Sequence, residues 1–228
     1  MQTGGVVGEG VADLLGEVAG LGPYFEIVTG AAVGAGWRPF PDDEWVLGAT
    51  VEYGERLGTG ERRVAASILF QGLASRLWSP VVAAAARGIV PDLADLRWRW
   101  APGEAVALGL AEPRGWRVEG VGEAADLVHP MVVDGHLRAL RETMLSFVSL
   151  ADGLVWGNAV SALAGSLNVG PSGGFRAALV RELLGREPLA GAGAFEADGF
   201  VRRNCCLYYR VPGGGMCGDC GLLSRNLR

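Results

Sequence analysis

Leu96-Arg97-Trp98-Arg99-Trp100-Ala101-Pro102-Gly103 is the stretch that separates a mixed fold from an all-helical one. Leu96, Trp98 and Trp100 alternate with Arg97 and Arg99, the two-residue period of a half-buried strand. The Pro-Gly pair is a turn signal and residues 105–110 are apolar, so a hairpin is expected, with a third strand at residues 116–119. Trp98 and Trp100 on one strand face read as core. Outside this region the periodicity is helical. Val11, Leu14, Leu15 and Val18 fall on one face of an opening helix. Residues 61–78 are rich in helix formers, and Pro80 ends that helix or opens a second one over residues 83–87. Residues 24–55 lack a clear period. Within them residues 45–53 read as one or two strands, and Asp42, Asp43 and Glu44 as a solvated loop.

The later half continues in helices. Asp134 is a candidate N-cap for a long helix marked by Leu137, Leu140, Met144, Phe147 and Val148, and a second apolar helix follows over residues 154–167. Pro171 and Ser172 are expected to start a third, with Phe175, Ala178, Leu179 and Leu183 on one face and Gly185 beyond its end. Residues 191–200 read as a Gly/Ala-rich connection. The fold class is therefore α+β, mainly helical, with a small antiparallel sheet in the N-terminal half. Residues 1–200 form the scaffold, and residues 201–228 form a C-terminal segment expected to pack on it.

Composition narrows the function. With 228 residues and half of them apolar, the chain can bury a core. Its basic residues are all arginine, so neither a lysine Schiff base nor a P-loop lysine is available. A net charge of -5 argues against nucleic-acid binding, and there is no helix-turn-helix pattern. Residues 1–20 lack the basic n-region of a signal peptide and carry acids among their apolar residues, so a cytoplasmic location is expected. The most apolar stretches, residues 81–86 and 144–156, are too short or too interrupted to suggest an integral membrane segment. The sequences around Gly8, Gly34 and Gly191 do not complete a dinucleotide-binding G-x-G-x-x-G.

All four cysteines lie in the last 24 residues: Cys205, Cys206, then Cys217 and Cys220, spaced C-C-x(10)-C-x(2)-C. In a reducing compartment such clustering points to metal rather than a disulfide framework. A C-x-x-C turn can present two thiolates to one centre, whereas adjacent cysteines normally point apart and do not readily chelate a single tetrahedral ion. A two-iron cluster relaxes that constraint, and the two pairs can supply the four thiolates of a [2Fe-2S] cluster. Structural zinc and a redox disulfide are the alternatives. Pro212 and Gly213, Gly214 and Gly215 allow close backbone approach between the pairs. The same terminal segment holds Arg202, Arg203, Arg210, Arg225 and Arg228 against Asp219 alone, a basic island on an acidic protein. Its arginines would offset cluster charge or attract an acidic partner, and Arg203 and Arg210 are the candidates for tuning or docking. His129 and His136, the two histidines, do not have ligand spacing and read as structural.

The cysteine segment resembles the C-terminal cluster motif of the siderophore ferric-iron reductases, with all four cysteine positions matching. Leu154-Val155-Trp156-Gly157-Asn158, followed by Ala159 and Ser161, is similar to the Trp-Gly-Asn helix of that family. The resemblance implies an iron-sulfur oxidoreductase that reduces Fe(III) in imported ferric siderophores, hydroxamate type foremost, and releases Fe(II) in the cytosol. It also implies Cys205, Cys206, Cys217 and Cys220 as ligands, and an external electron donor such as a ferredoxin, flavodoxin or reductase. The competing expectation is a zinc-stapled, non-catalytic binding domain.

Overall fold

The computed structural model describes residues 5–170 and 173–222. In chain order its first half contains β1 (Val6–Val7), α1 (Val11–Ala19), β2 (Val28–Thr29), β3 (Arg38–Pro39), α2 (Asp43–Arg56), α3 (Arg62–Ala85), β4 (Ile89–Pro91), β5 (Arg97–Arg99), β6 (Ala107–Leu110) and β7 (Gly115–Arg117). The second half contains α4 (Val121–His129), α5 (Arg138–Leu145), α6 (Asp152–Gly165), α7 (Phe175–Leu184), β8 (Gly193–Glu196) and β9 (Gly199–Arg202). A π-helical stretch, Pro130–Leu137, joins α4 to α5. The fold is α+β.

The Arg/Trp stretch forms β5 and pairs antiparallel with β6, as its alternation predicts, with Trp98 opposite Leu108. Trp98 is fully buried between the edges of Phe40 and Trp45, while Trp100 is half-buried and donates its Nε1–H to Glu52 at 3.0 Å. The sheet architecture departs from the expected single antiparallel sheet. β5 and β6 belong to a mixed four-stranded sheet, β2-β6-β5-β3, in which β2 runs parallel to β6. The expected third strand is β7, but it pairs with β1 and β4 in a separate sheet. Residues 191–200 contain most of a third sheet, the β8-β9 hairpin, whose Ala197-Asp198 turn leads into Gly199 at a positive φ of 129°.

Other expectations change as well. Residues 45–53 are helical, within α2, despite their β-branched and aromatic residues. The Asp42 carboxylate accepts the Trp45 N–H at 3.0 Å as an N-cap, and Asp43 and Glu44 occupy the first turn, where the helix dipole favours acids. These residues are thus a helix start, not a solvated loop. α3 runs unbroken through Pro80, since residues 77–85 on both sides of the proline are buried and packing outweighs one missing N–H. The helix expected from Asp134 begins earlier, at Val121, and Asp134 lies inside the π stretch, where it pairs with Arg138 at 2.8 Å rather than capping. α7 starts at Phe175 and has Gly185 at its end. Its inner face is Arg176, Leu179, Val180 and Leu183, with Ala178 turned to solvent. The expected helix-starting Pro171 and Ser172 lie outside the described residues.

α3 is apolar around nearly its whole circumference, the pattern of a central helix. It is long and apolar enough to cross a membrane, yet 72% of its most apolar 18-residue window is buried inside this fold. α6, buried from Leu154 to Ala164, packs along it. Leu207 and Val211 of the C-terminal segment join the same core, so the cysteines are seated on the α3–α6 pair. His136 is buried, with its Nε2 3.0 Å from the Leu93 carbonyl, in keeping with a structural role.

Candidate metal centre

β9 delivers the chain to the cysteines. Arg202, its last residue, is 1% exposed and lies over α3 and α6. Its guanidinium donates from Nε to Asp219 Oδ2 at 2.9 Å and from Nη2 to Asp219 Oδ1 at 2.7 Å, a bidentate ion pair. Nη1 donates to Asn158 Oδ1 at 2.7 Å and Gln71 Oε1 at 3.2 Å, and Nη2 also reaches Ser161 Oγ at 2.5 Å. Asn158, itself fully buried, donates onward to the Ser67 carbonyl and hydroxyl at 2.8 and 2.9 Å. The Ser67 hydroxyl donates to the Cys206 carbonyl at 2.7 Å. One hydrogen-bonded chain therefore links α3, α6 and both ends of the cysteine segment.

The Trp-Gly-Asn stretch of α6 now has a physical reading. Asn158 closes this network, and Gly157 packs against the backbone of Asn204, which a Cβ there would meet at an ordinary contact distance of 3.5–4.0 Å. At the far end of the segment, a Cβ on Gly221 would collide with the Arg202 carbonyl and lie 3.2 Å from that of Arg203. Backbone cannot swing away as a side chain can. Gly221→Ala should therefore destabilise the protein by about 1–3 kcal/mol, read as a lower urea midpoint with early proteolysis in the C-terminal segment; an unchanged midpoint would remove the steric argument.

The four thiols are free. Cys206 and Cys220 are buried, 3% and 4% exposed, whereas Cys205 and Cys217 are half-buried. Cys206 Sγ stands 3.6 Å from Cys217 Sγ. That is far beyond a disulfide bond and near the ~3.8 Å edge of a tetrahedron built with ~2.3 Å metal–sulfur bonds. Leu207, in the left-handed region at φ 69°, turns the chain so that its N–H donates to Cys205 Sγ at 3.3 Å. The Tyr208 N–H supports Cys206 in the same way. In the glycine run, Gly213 uses a positive φ of 71° and Gly214 has backbone carbonyls 2.6 and 2.9 Å from its absent Cβ, while Gly215 faces open space. Among the described residues no three His, Cys, Asp or Glu side chains are grouped as one ion would require. Cys206 and Cys217 form the one close thiol pair among the described residues, with Cys205 within electrostatic reach of Cys206 and Cys220.

Electrostatics favour a thiolate at the pair. The hydrogen bond from Cys217 lowers Cys206 to about 6, against burial and with help from Tyr208 and Arg202. Its partner Cys217 is pushed up, because that shared hydrogen bond and burial both hold its proton. Burial raises Cys205. Burial also opposes the charges of Arg202 and Asp219, but their mutual bonds win, raising the one and lowering the other.

Residues 202–221 match the family model of the FhuF 2Fe-2S C-terminal domain. The C-terminal segment is thus of an iron-sulfur type, and the FhuF 2Fe-2S match spans all four cysteines together with both members of the Arg202–Asp219 pair. No curated protein and no solved structure matches the chain.

The arginines divide differently from the sequence expectation. Arg210 forms a half-exposed ion pair with Glu61 at 2.8 Å, and Arg203 is an exposed side chain whose backbone N–H donates to Ala192. Arg225 and Arg228 lie outside the described residues. The basic island is therefore engaged internally at two of its three described arginines. Sequence reasoning did not set the buried Arg202 apart from Arg203 and Arg210, nor find its partners Ser67 and Gln71, since nothing local distinguishes an arginine that becomes buried from its exposed neighbour.

Proposed function

We propose that Cys205, Cys206, Cys217 and Cys220 hold a [2Fe-2S] cluster and that the protein gives one electron to Fe(III) in a ferric siderophore, hydroxamate type foremost, releasing Fe(II) in the cytosol. The observation that carries this reading is the gathering of four free thiols within the segment that matches the FhuF 2Fe-2S domain. When bound, such a cluster supplies one-electron transfer at a potential set by net charge, hydrogen bonds to sulfur and exposure.

The chain supplies the rest. Cys206, already thiolate near neutrality, offers a sulfur that need lose no proton to bind metal. The Leu207 and Tyr208 N–H groups point their partial positive hydrogens at the Cys205 and Cys206 sulfurs. The half-buried Cys205 and Cys217 stand beside exposed Tyr208, Tyr209 and Met216, a face that a bulky chelate or donor protein can reach. Hydroxamate oxygens are hard donors that hold Fe(III) more firmly than Fe(II), so reduction loosens the substrate iron. The electron comes from a ferredoxin, flavodoxin or reductase, because the sequence offers no dinucleotide fingerprint.

The test is iron, zinc and acid-labile sulfide content of anaerobically purified protein, with the visible spectrum before and after dithionite. Equal iron and sulfide at two per chain, a spectrum that bleaches, and turnover of a ferric hydroxamate are expected. One zinc per chain and no colour after reconstitution would replace this reading with the zinc-stapled binding domain.

A further inference from the structure

A cleft of about 370 Å³ lies between the C-terminal half of α2, the middle of α3 and the turn of the β5–β6 hairpin. Its α3 positions, among them Gly72, Leu73 and Arg76, are offset around the helix from Ser67 and Gln71, which face the cysteine segment. Leu69 and Leu73 lie buried beneath it, and the half-buried Trp100 forms one wall.

The rim is cationic and aromatic. Arg76 lies over the Tyr24 ring at 5.0 Å and Arg56 over the Tyr53 ring at 5.5 Å, so each guanidinium is positioned by stacking. Among the described residues neither has a carboxylate within ion-pair distance, unlike Arg38, Arg114, Arg138, Arg141, Arg186, Arg202 and Arg210. Arg76 uses one N–H on the Pro23 carbonyl at 2.8 Å, leaving most of the donors of the two forks available. The wall is held in place: Glu52 accepts the Trp100 indole N–H at 3.0 Å and the Gly103 backbone N–H at 2.7 Å, so both its oxygens are occupied. Glu104 is the acid that lines the cleft. Tyr53 is held in its neutral, hydrogen-bond-donating form, mainly by burial.

The geometry points to a binding site for a small organic carboxylate, its anionic group taken by Arg56 and Arg76 and its apolar body laid against Trp100. Guanidinium forks suit a planar two-oxygen anion, and the volume is within the range of small-molecule pockets. The half-buried Trp100 wall favours an organic acid with a flat apolar body over a bare inorganic ion. This site is independent of the metal reading.

The experiment follows the Trp100 indole N–H resonance of the intact protein, assigned with Trp100→Phe, during titration with benzoate, benzamide and inorganic phosphate. Benzoate should shift it saturably, while benzamide, of the same shape without the charge, should not. Arg56→Gln and Arg76→Gln should each weaken benzoate binding at least about tenfold, and Glu104→Gln, which removes a like charge, should tighten it. Arg56 is exposed, so its variant tests the site without threatening the fold. A benzamide response equal to that of benzoate, no saturable benzoate shift, or full affinity in both arginine variants would overturn the site. Phosphate binding as tightly as benzoate would overturn its assignment to organic acids.

Discussion

Arg202→Gln should cost about 3–5 kcal/mol of stability, the range for breaking one side of a buried ion pair, out of the roughly 5–15 kcal/mol that holds a typical domain folded. The substitution removes the bidentate partner of Asp219 and leaves Asn158, Gln71 and Ser161 facing a shorter amide. Asp219 would then be a largely buried carboxylate with no opposing charge. Urea denaturation of wild type and variant in the same metal state provides the measurement. Arg202→Lys should fall between them, because an ammonium keeps the charge but not the planar fork.

The pH dependence follows from Asp219. Its folded carboxyl titrates below its ordinary value, so the stability it contributes is present above the unfolded carboxylate range near 4 and is lost as pH falls through the folded value. The gap between wild type and Arg202→Gln should accordingly narrow below about pH 4. Arg203→Gln, at the exposed neighbouring position, should stay within about 0.5 kcal/mol of wild type. Equal losses at the two positions would show that the buried network contributes nothing beyond charge.

The second large effect is at sulfur. Cys217→Ser and Cys206→Ser should each abolish the visible absorption of the purified protein and lower ferric-chelate reduction by more than about 100-fold, since loss of even an outer supporting partner typically costs 10- to 100-fold. Serine is close in size to cysteine, so the comparison isolates the donor atom. Met216→Leu provides the control. Its Sδ is 3.7 Å from Cys220 Sγ, near enough to belong to the sulfur cluster by distance, but a thioether is not among the expected ligands and its loss should leave the colour intact. Full colour and full rate in Cys217→Ser would sink the ligand assignment; loss of colour in Met216→Leu would add a ligand that the cysteine spacing does not contain.

Residues whose identity is constrained by local physics were legible in the chain. The alternation at Leu96 to Trp100 gave β5, the apolar spacing at Val11 to Val18 gave α1, and the paired cysteines marked the metal segment. Residues 45–53 were misread because Trp, Val, Thr and Tyr favour strands, while the Asp42 cap and burial of Val46 and Ala49 favour helix, and packing outweighs propensity. Pro80 was misread for the same reason.

The sequence by itself determined which side chains the proposed cluster chemistry rests on: four thiols and their spacing are covalent facts, as is the absence of lysine. Tertiary structure decided which arginine matters. Arg202 and Arg203 are chemically identical neighbours, and only the docking of β9 over α3 and α6 removes one from water and brings it to Asp219, Asn158, Gln71 and Ser161. Burial turns an ordinary surface charge into one that must be paired, and burial is a property of what packs on top, which no local stretch of sequence contains.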